Sequence, residues 1–123
     1  MKINRESLNL ELIGVLIISA MFGVSFFMTG APLRERAIPP DKVIHAVSGA
    51  GLAFAFSAYF KKRGNLILFI FFVGLVFEAA EFWSVPFGVY GDADRYVIDT
   101  VLDLAVDVLG GLAALQFLRA SHA

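Results

Sequence analysis

Four apolar stretches, residues 10–29, 43–60, 66–83 and 98–118, each approach the ~20 residues that a helix needs to cross ~30 Å of hydrocarbon. Little of the 123-residue chain is left to build anything else. Hydrophobic residues make up 59% and charged residues 17%, against about half and about a quarter in ordinary soluble domains. The pattern predicts an all-α, integral-membrane bundle of four transmembrane helices, a single domain over residues 1–123. The second and third stretches are slightly short, so their polar ends should reach the interface.

The first stretch follows Lys2 and Arg5 and precedes Gly30 and Ala31, which is the layout of a secretory signal. Its apolar core is longer than a signal's, and we read it as an uncleaved signal anchor. Short-loop charges set the orientation. Lys61, Lys62 and Arg63 form the densest basic cluster, and a cytoplasmic position for them puts six basic residues inside against four outside (Arg34, Arg36, Lys42 and Arg95). Both termini are then cytoplasmic, in a multi-pass protein of the plasma or inner membrane. The 30–40 loop ends in Pro39 and Pro40, which stop a helix and keep the chain extended. The 86–95 loop, with Gly88, Gly91, Asp92 and Asp94, is rich in turn formers and lies at the same face.

The net charge of −1, with no basic stripe, argues against a nucleic-acid partner. Zero cysteines exclude disulfides, thiolate catalysis and zinc–thiolate sites.

Against this apolar background stand Asp99, Asp103 and Asp107, four residues apart. A spacing of four advances ~400° around a helix, so the three share nearly one face. Ionisable groups within a membrane segment are costly, which makes them a functional-site hypothesis. Helix direction decides what they can meet. The second stretch runs inward from Asp41 and His45, the third runs outward to Glu78 and Glu81, and the fourth runs inward from Asp99. At ~1.5 Å per residue Asp107 lies ~12 Å below Asp99. Seven ionisable groups on three helices therefore share the outer leaflet.

So many carboxylates cannot all be ionised in a low-dielectric site without a proton or a compensating cation. Arg95, His45 and Lys42 are the chain's own candidates, and a divalent cation is the external one. An oxygen-rich site suits Mg²⁺, Ca²⁺ or Mn²⁺, and one imidazole among carboxylates also admits Zn²⁺ or Fe²⁺. The candidate binding residues are Asp41, His45, Glu78, Glu81, Arg95, Asp99, Asp103 and Asp107. The candidate metal ligands among them are His45, Glu78, Glu81, Asp103 and Asp107, and the candidate catalytic groups are His45, Glu78 and Asp103. Simpler roles stand beside these: Asp41 as an N-cap after the prolines, His45 as an interhelical hydrogen-bonding residue, Asp99 as a first-turn carboxylate on the helix dipole, and Glu81 at the aromatic interface beside Phe82 and Trp83. Small residues, notably Gly49 with Ala53 and Gly110 with Ala114, permit close approach of the second and fourth helices. Such an approach would bring His45 toward Asp103. The Phe-rich 69–77 stretch is expected to face lipid.

At these residues the chain resembles the VanZ-like family of small membrane proteins, and more loosely the YjdF-like inner-membrane proteins. The family pattern is an Asp-Lys-x-x-His helix start, a Glu-x-x-Gln helix end, an Arg, and an Asp-x-x-x-Asn-x-x-Gly helix. Here it reads Asp41, Lys42 and His45, then Glu78 and Glu81, then Arg95, then Asp103, Asp107 and Gly110, and it covers residues 41–115. Glu81 stands where the family has Gln, and Asp107 where it has Asn. Both departures add negative charge. The resemblance implies a cell-envelope protein associated with envelope stress or glycopeptide (teicoplanin) resistance, without implying a reaction.

The favoured function is a non-catalytic envelope protein whose acidic site binds a cation or a lipid headgroup, with the bilayer as its setting and an oligomer compatible with its narrow bundle. One alternative is a metal-assisted hydrolase acting on an envelope lipid or lipid-linked phosphate, with Arg95 on the anionic headgroup. No Gly-x-Ser-x-Gly elbow is present to support hydrolysis. The other alternative is cation or proton translocation, which the deep Asp107 favours and the apolar inner halves of the helices oppose.

Overall fold

The computed structural model describes residues 5–28, 40–84 and 92–121. Among them stand four helices and no strand: α1 (Arg5–Met28), α2 (Pro40–Phe56), α3 (Arg63–Ser84) and α4 (Ala93–Ser121). Of the loops expected over 30–40 and 86–95, residues 30–39 and 86–91 lie outside the described residues, as does Lys2, whereas Pro40 belongs to α2 and residues 93–95 to α4.

Local chemistry sets the helix ends. α2 begins at Pro40, where a fixed φ and a missing N–H suit the first helical position. Asp41 therefore sits inside the first turn, not at the N-cap expected of it. The N-cap of α4 is Asp92, whose Oδ1 accepts the Arg95 backbone N–H at 2.8 Å. Asp99 consequently lies in the second turn of α4, one turn deeper than a dipole-favoured terminal carboxylate. α2 ends at Phe56, short of the expected 60. There the Tyr59 N–H donates to the Phe56 carbonyl at 3.0 Å and Ser57 Oγ donates to the Phe54 carbonyl at 3.3 Å, tightening the chain into the short link before α3.

α2 packs on α1, α3 and α4, and α3 also packs on α4. The tightest approach is between α2 and α4. A Cβ at Gly49 would overlap the Asp107 carbonyl oxygen, and one at Gly110 would overlap the Ala46 carbonyl oxygen. The two backbones touch because both helices present a glycine at the crossing. A similar contact seats α1, where a Cβ at Gly14 would collide with the Ala55 amide.

Polarity divides the bundle along its length. At one end Leu52, Ala53, Leu66, Ile70 and Ala114 form the apolar core. Phe69 packs there against Phe56 and Phe60 at centroid distances of 4.9 and 5.2 Å. Glu11 accepts from Tyr59 Oη at 3.2 Å, so the start of α1 lies at this same end. The other end holds the polar residues of α2, α3 and α4. Within the 69–77 stretch, expected to face lipid, Phe72 (53% exposed) and Val76 (69%) point away from the bundle. Phe69 and Phe77 instead pack within it, and the Phe77 ring meets His45 edge-on at 5.5 Å. Helical periodicity turns residues 69, 73 and 77 inward when 72 and 76 point out.

Two helical segments are long and apolar enough to cross a membrane, 63–83 in α3 and 93–120 in α4. In α1 the apolar part among the described residues is the shorter 9–20. All four helices expose large apolar side chains, among them Leu16, Val43, Val76 and Leu109.

The glycine contacts generate a directional prediction. Gly110→Ala should destabilise the detergent-solubilised protein by ~1–3 kcal/mol, since a backbone must move to admit the methyl group. Gly64→Ala, with nothing within 4 Å of the added carbon, should be neutral or slightly stabilising. Indistinguishable thermal unfolding of the two variants would show that glycine contact does not set the α2–α4 distance.

Candidate functional site

Lys42, His45 and Gly49 follow at spacings of three and four, so the face of α2 that meets α4 at Gly49 also carries the ammonium and the imidazole. Opposite them runs the aspartate face of α4. Lys42 Nζ donates to Asp99 Oδ1 and Asp103 Oδ1, each at 2.6 Å, and to its neighbour Asp41 Oδ2 at 3.1 Å. One turn deeper, His45 Nδ1 lies 3.2 Å from Asp107 Oδ2. The Asp107 carboxylate fits because Gly74 of α3 leaves room: a Cβ there would stand 2.5 Å from Asp107 Oδ2.

α3 contributes Glu78. Its Oε2 accepts from Thr100 Oγ1 at 3.0 Å, and its backbone carbonyl accepts from Tyr96 Oη at 3.4 Å. Its Oε1 is buried without a hydrogen-bond partner among the described residues. The nearest cation-forming atom is His45 Nε2 at 3.7 Å, and the same Nε2 lies 3.8 Å from Asp103 Oδ1. Both separations exceed a hydrogen bond.

Exposure falls steadily into the cluster. The side chains of Asp41 and Asp99 are 45% and 37% exposed, Lys42 is 14%, and His45, Glu78 and Asp103 are 8%, 5% and 4%. The polar cluster is thus most exposed at Asp41 and Asp99 and most enclosed at Glu78, Asp103 and Asp107. Asp41, Glu78, Asp99, Asp103 and Asp107 face two basic groups, Lys42 and His45. Even with both of these charged, the carboxylates outnumber them, and the remainder calls for protons or an added cation.

Of the residues singled out from sequence, His45, Glu78, Asp103 and Asp107 come together in the buried part, with Asp41 and Asp99 at the rim. Glu81 is half-buried one turn farther along α3. Arg95 does not join them: it is exposed, and its Nε lies 3.7 Å from Asp92 Oδ2, at the capped end of α4. The cation over the aspartates is Lys42, which sequence reasoning named as a counter-charge without placing it among the binding residues. Its spacing of three from His45 was the available signal. Thr100 was missed altogether. It lies three residues before Asp103 on the same helix face, and only the position of α3 gives it a role.

A model of the family described as "Predicted membrane protein (DUF2238)" matches residues 5–123 of the chain. This is the YjdF-like family, the looser of the two resemblances noted in the sequence. No curated protein and no solved structure matches the chain.

The interlocked charges predict strong coupling. Lys42→Met and Asp103→Asn should each destabilise the protein by on the order of 3 kcal/mol, because each strands a buried partner. The double variant should cost clearly less than the two together. Additive costs in detergent unfolding would mean that the 2.6 Å contact contributes nothing as a pair.

Proposed function

Because the chain belongs to the family of predicted membrane proteins whose model spans residues 5–123, we propose that it crosses the cell membrane four times with both termini in the cytoplasm. Its α2–α3–α4 recess is then a cation-binding site at the outer leaflet. Support for four spans comes from the apolar surfaces on every helix, and support for the orientation comes from the Lys61, Lys62 and Arg63 cluster at the apolar-core end of the bundle. At ~26 Å the 17 residues of α2 nearly span the hydrocarbon, with Asp41 and Lys42 reaching the interface.

The observation that carries the binding reading is the imbalance of five carboxylates against one lysine and one histidine within a mostly buried recess. Such a field attracts cations and repels phosphates. A cationic ligand is therefore favoured over an anionic headgroup. The same imbalance weighs against hydrolysis of a lipid-linked phosphate, as does the position of Arg95 away from the carboxylates. Translocation is opposed by the apolar packing of Leu52, Ile70 and Ala114 beyond Asp107. The finer VanZ-like resemblance extends this reading to an accessory role in the cell envelope.

Two measurements test it. A cysteine replacing Lys62 should resist an impermeant thiol reagent in intact cells, and ready labelling would invert the orientation. For the site, saturating Na⁺, Mg²⁺, Ca²⁺, Mn²⁺, Zn²⁺ and tetramethylammonium are compared by thermal unfolding. At least one should stabilise the wild type, by ~2.7 kcal/mol at a hundredfold excess over Kd, and Asp103→Asn should remove the effect. Stabilisation by none of them would sink the cation reading.

A further inference from the structure

We propose that His45 Nε2, Glu78 Oε1 and Asp103 Oδ1 are the protein ligands of a single divalent transition-metal ion of the Zn²⁺, Mn²⁺, Fe²⁺ or Co²⁺ class, a proposal that rests on the cation-binding reading and makes it specific. Each of the three residues offers one ligand atom such that all three lie within 4.8 Å of one another. With Nε2 at 3.7 Å from Oε1 and 3.8 Å from Oδ1, they are too far apart to hydrogen-bond. Three ligand atoms held at ~2.1 Å from a common ion stand ~3.4–3.6 Å from one another. The two separations from Nε2, 3.7 and 3.8 Å, exceed this by only a few tenths of an ångström.

Glu78 supplies the independent sign of a ligand. Its side chain is 5% exposed, and its Oε1 lacks a hydrogen-bond partner among the described residues. A buried carboxylate oxygen left in that state is costly, and here it points at the imidazole nitrogen. The partner oxygen, Oε2, is already engaged by Thr100 at 3.0 Å, which turns Oε1 toward His45. The imidazole is aimed in the same manner. Asp107 Oδ2 lies 3.2 Å from Nδ1, so a neutral ring that donates from Nδ1 to this carboxylate would turn its Nε2 lone pair toward Glu78 and Asp103. This is the carboxylate–histidine–metal arrangement in which an outer partner fixes tautomer and ring orientation. With that tautomer, a lone pair and two carboxylate oxygens converge on one point. A positive charge must sit among them or on the ring itself.

The donor set selects the ion. One imidazole with two carboxylates suits the borderline divalent metals. Ca²⁺ takes six to eight oxygens and Mg²⁺ an octahedron rich in water, which His45 does not favour. The half-exposed Asp41 and Asp99 give the ion an acidic route in from the rim. Lys42 is the internal competitor. Its ammonium lies 2.6 Å from Asp103 Oδ1, the same oxygen that would ligate, so metal affinity is held down by a tethered positive charge.

Co²⁺ titration of the full chain in detergent, after stripping with a chelator, tests the site. Expected are visible d–d bands of a low-coordinate nitrogen- and oxygen-ligated ion, saturating at one ion per chain and displaced by Zn²⁺. Glu78→Gln should weaken binding at least ~100-fold, and Thr100→Val and Asp107→Asn ~10–100-fold, the usual cost of losing an orienting partner. Lys42→Met should tighten it. Should Glu78→Gln not fold, Thr100→Val, which removes no ligand, carries the comparison. Co²⁺ affinity unchanged in both Glu78→Gln and Thr100→Val would overturn the proposal. So would stabilisation by Ca²⁺ or Mg²⁺ alone, though the broader cation reading would then stand. Stabilisation by no cation would overturn both readings.

Discussion

The backbone contact between α2 and α4 is the constraint from which the rest follows. Gly49 against the Asp107 carbonyl and Gly110 against the Ala46 carbonyl bring two helices closer than any side chain would allow. At that distance the one-turn-outward neighbours of the contact, His45 on α2 and Asp103 on α4, cannot avoid each other. Their 3.8 Å separation is a consequence of glycine placement four to seven residues away. In a bilayer, lipid is as apolar as the side chains it would replace, so close van der Waals packing and interhelical hydrogen bonds must supply the association. This bundle uses both, the first toward its apolar-core end and the second toward its polar end.

Polar groups gathered in this way are costly unless they satisfy one another. Lys42 answers three carboxylates at once, His45 answers Asp107, and Thr100 answers one oxygen of Glu78. The recess is therefore a connected network across three helices, in which removing any member leaves another exposed to a low dielectric. Gly74 has a part in it as well, because the Asp107 carboxylate occupies the space its missing side chain leaves. Backbone economy on α3 is thus as necessary to the network as the acids on α4.

Much of this was legible in the chain itself. The helical class, the order of the elements, the shared depth of His45, Glu78 and Asp103, and the tight α2–α4 crossing all follow from apolar run lengths, helix direction and small-residue spacing. What was not legible depended on rotation and on helix ends. Asp99 and Asp41 looked terminal because the true boundaries, Asp92 and Pro40, lie beyond the apolar runs that marked the helices. Arg95 looked like the counter-cation because it precedes the aspartates in sequence. It points instead to its own cap, and Lys42, from a different helix, takes the position. Phe69 and Phe77 looked lipid-facing in a continuous aromatic run, and only the position of α2 shows which of its faces is inside. Pairings between helices leave little trace in a single sequence when both partners are common residue types.

A network that served only to hold helices in register would do best fully paired. An amide at position 78 would keep the shape, accept from Thr100 and carry no charge to desolvate. Glutamate at that position leaves one oxygen unanswered in the most enclosed part of the recess, beside an imidazole nitrogen too distant to bond it. That mismatch is hard to reconcile with packing as the sole role, since a membrane interior penalises an orphaned charge more than a water-exposed surface does. It is easily reconciled with a recess shaped around something positive. The segregation of polarity along the bundle fits the same proposal: Asp41 and Asp99 are the most exposed acids of the cluster, and the apolar packing of Leu52, Ile70 and Ala114 lies beyond Asp107. On the proposed cation-binding reading, exchange at the Asp41–Asp99 end, not passage through the bundle, is the behaviour this arrangement favours.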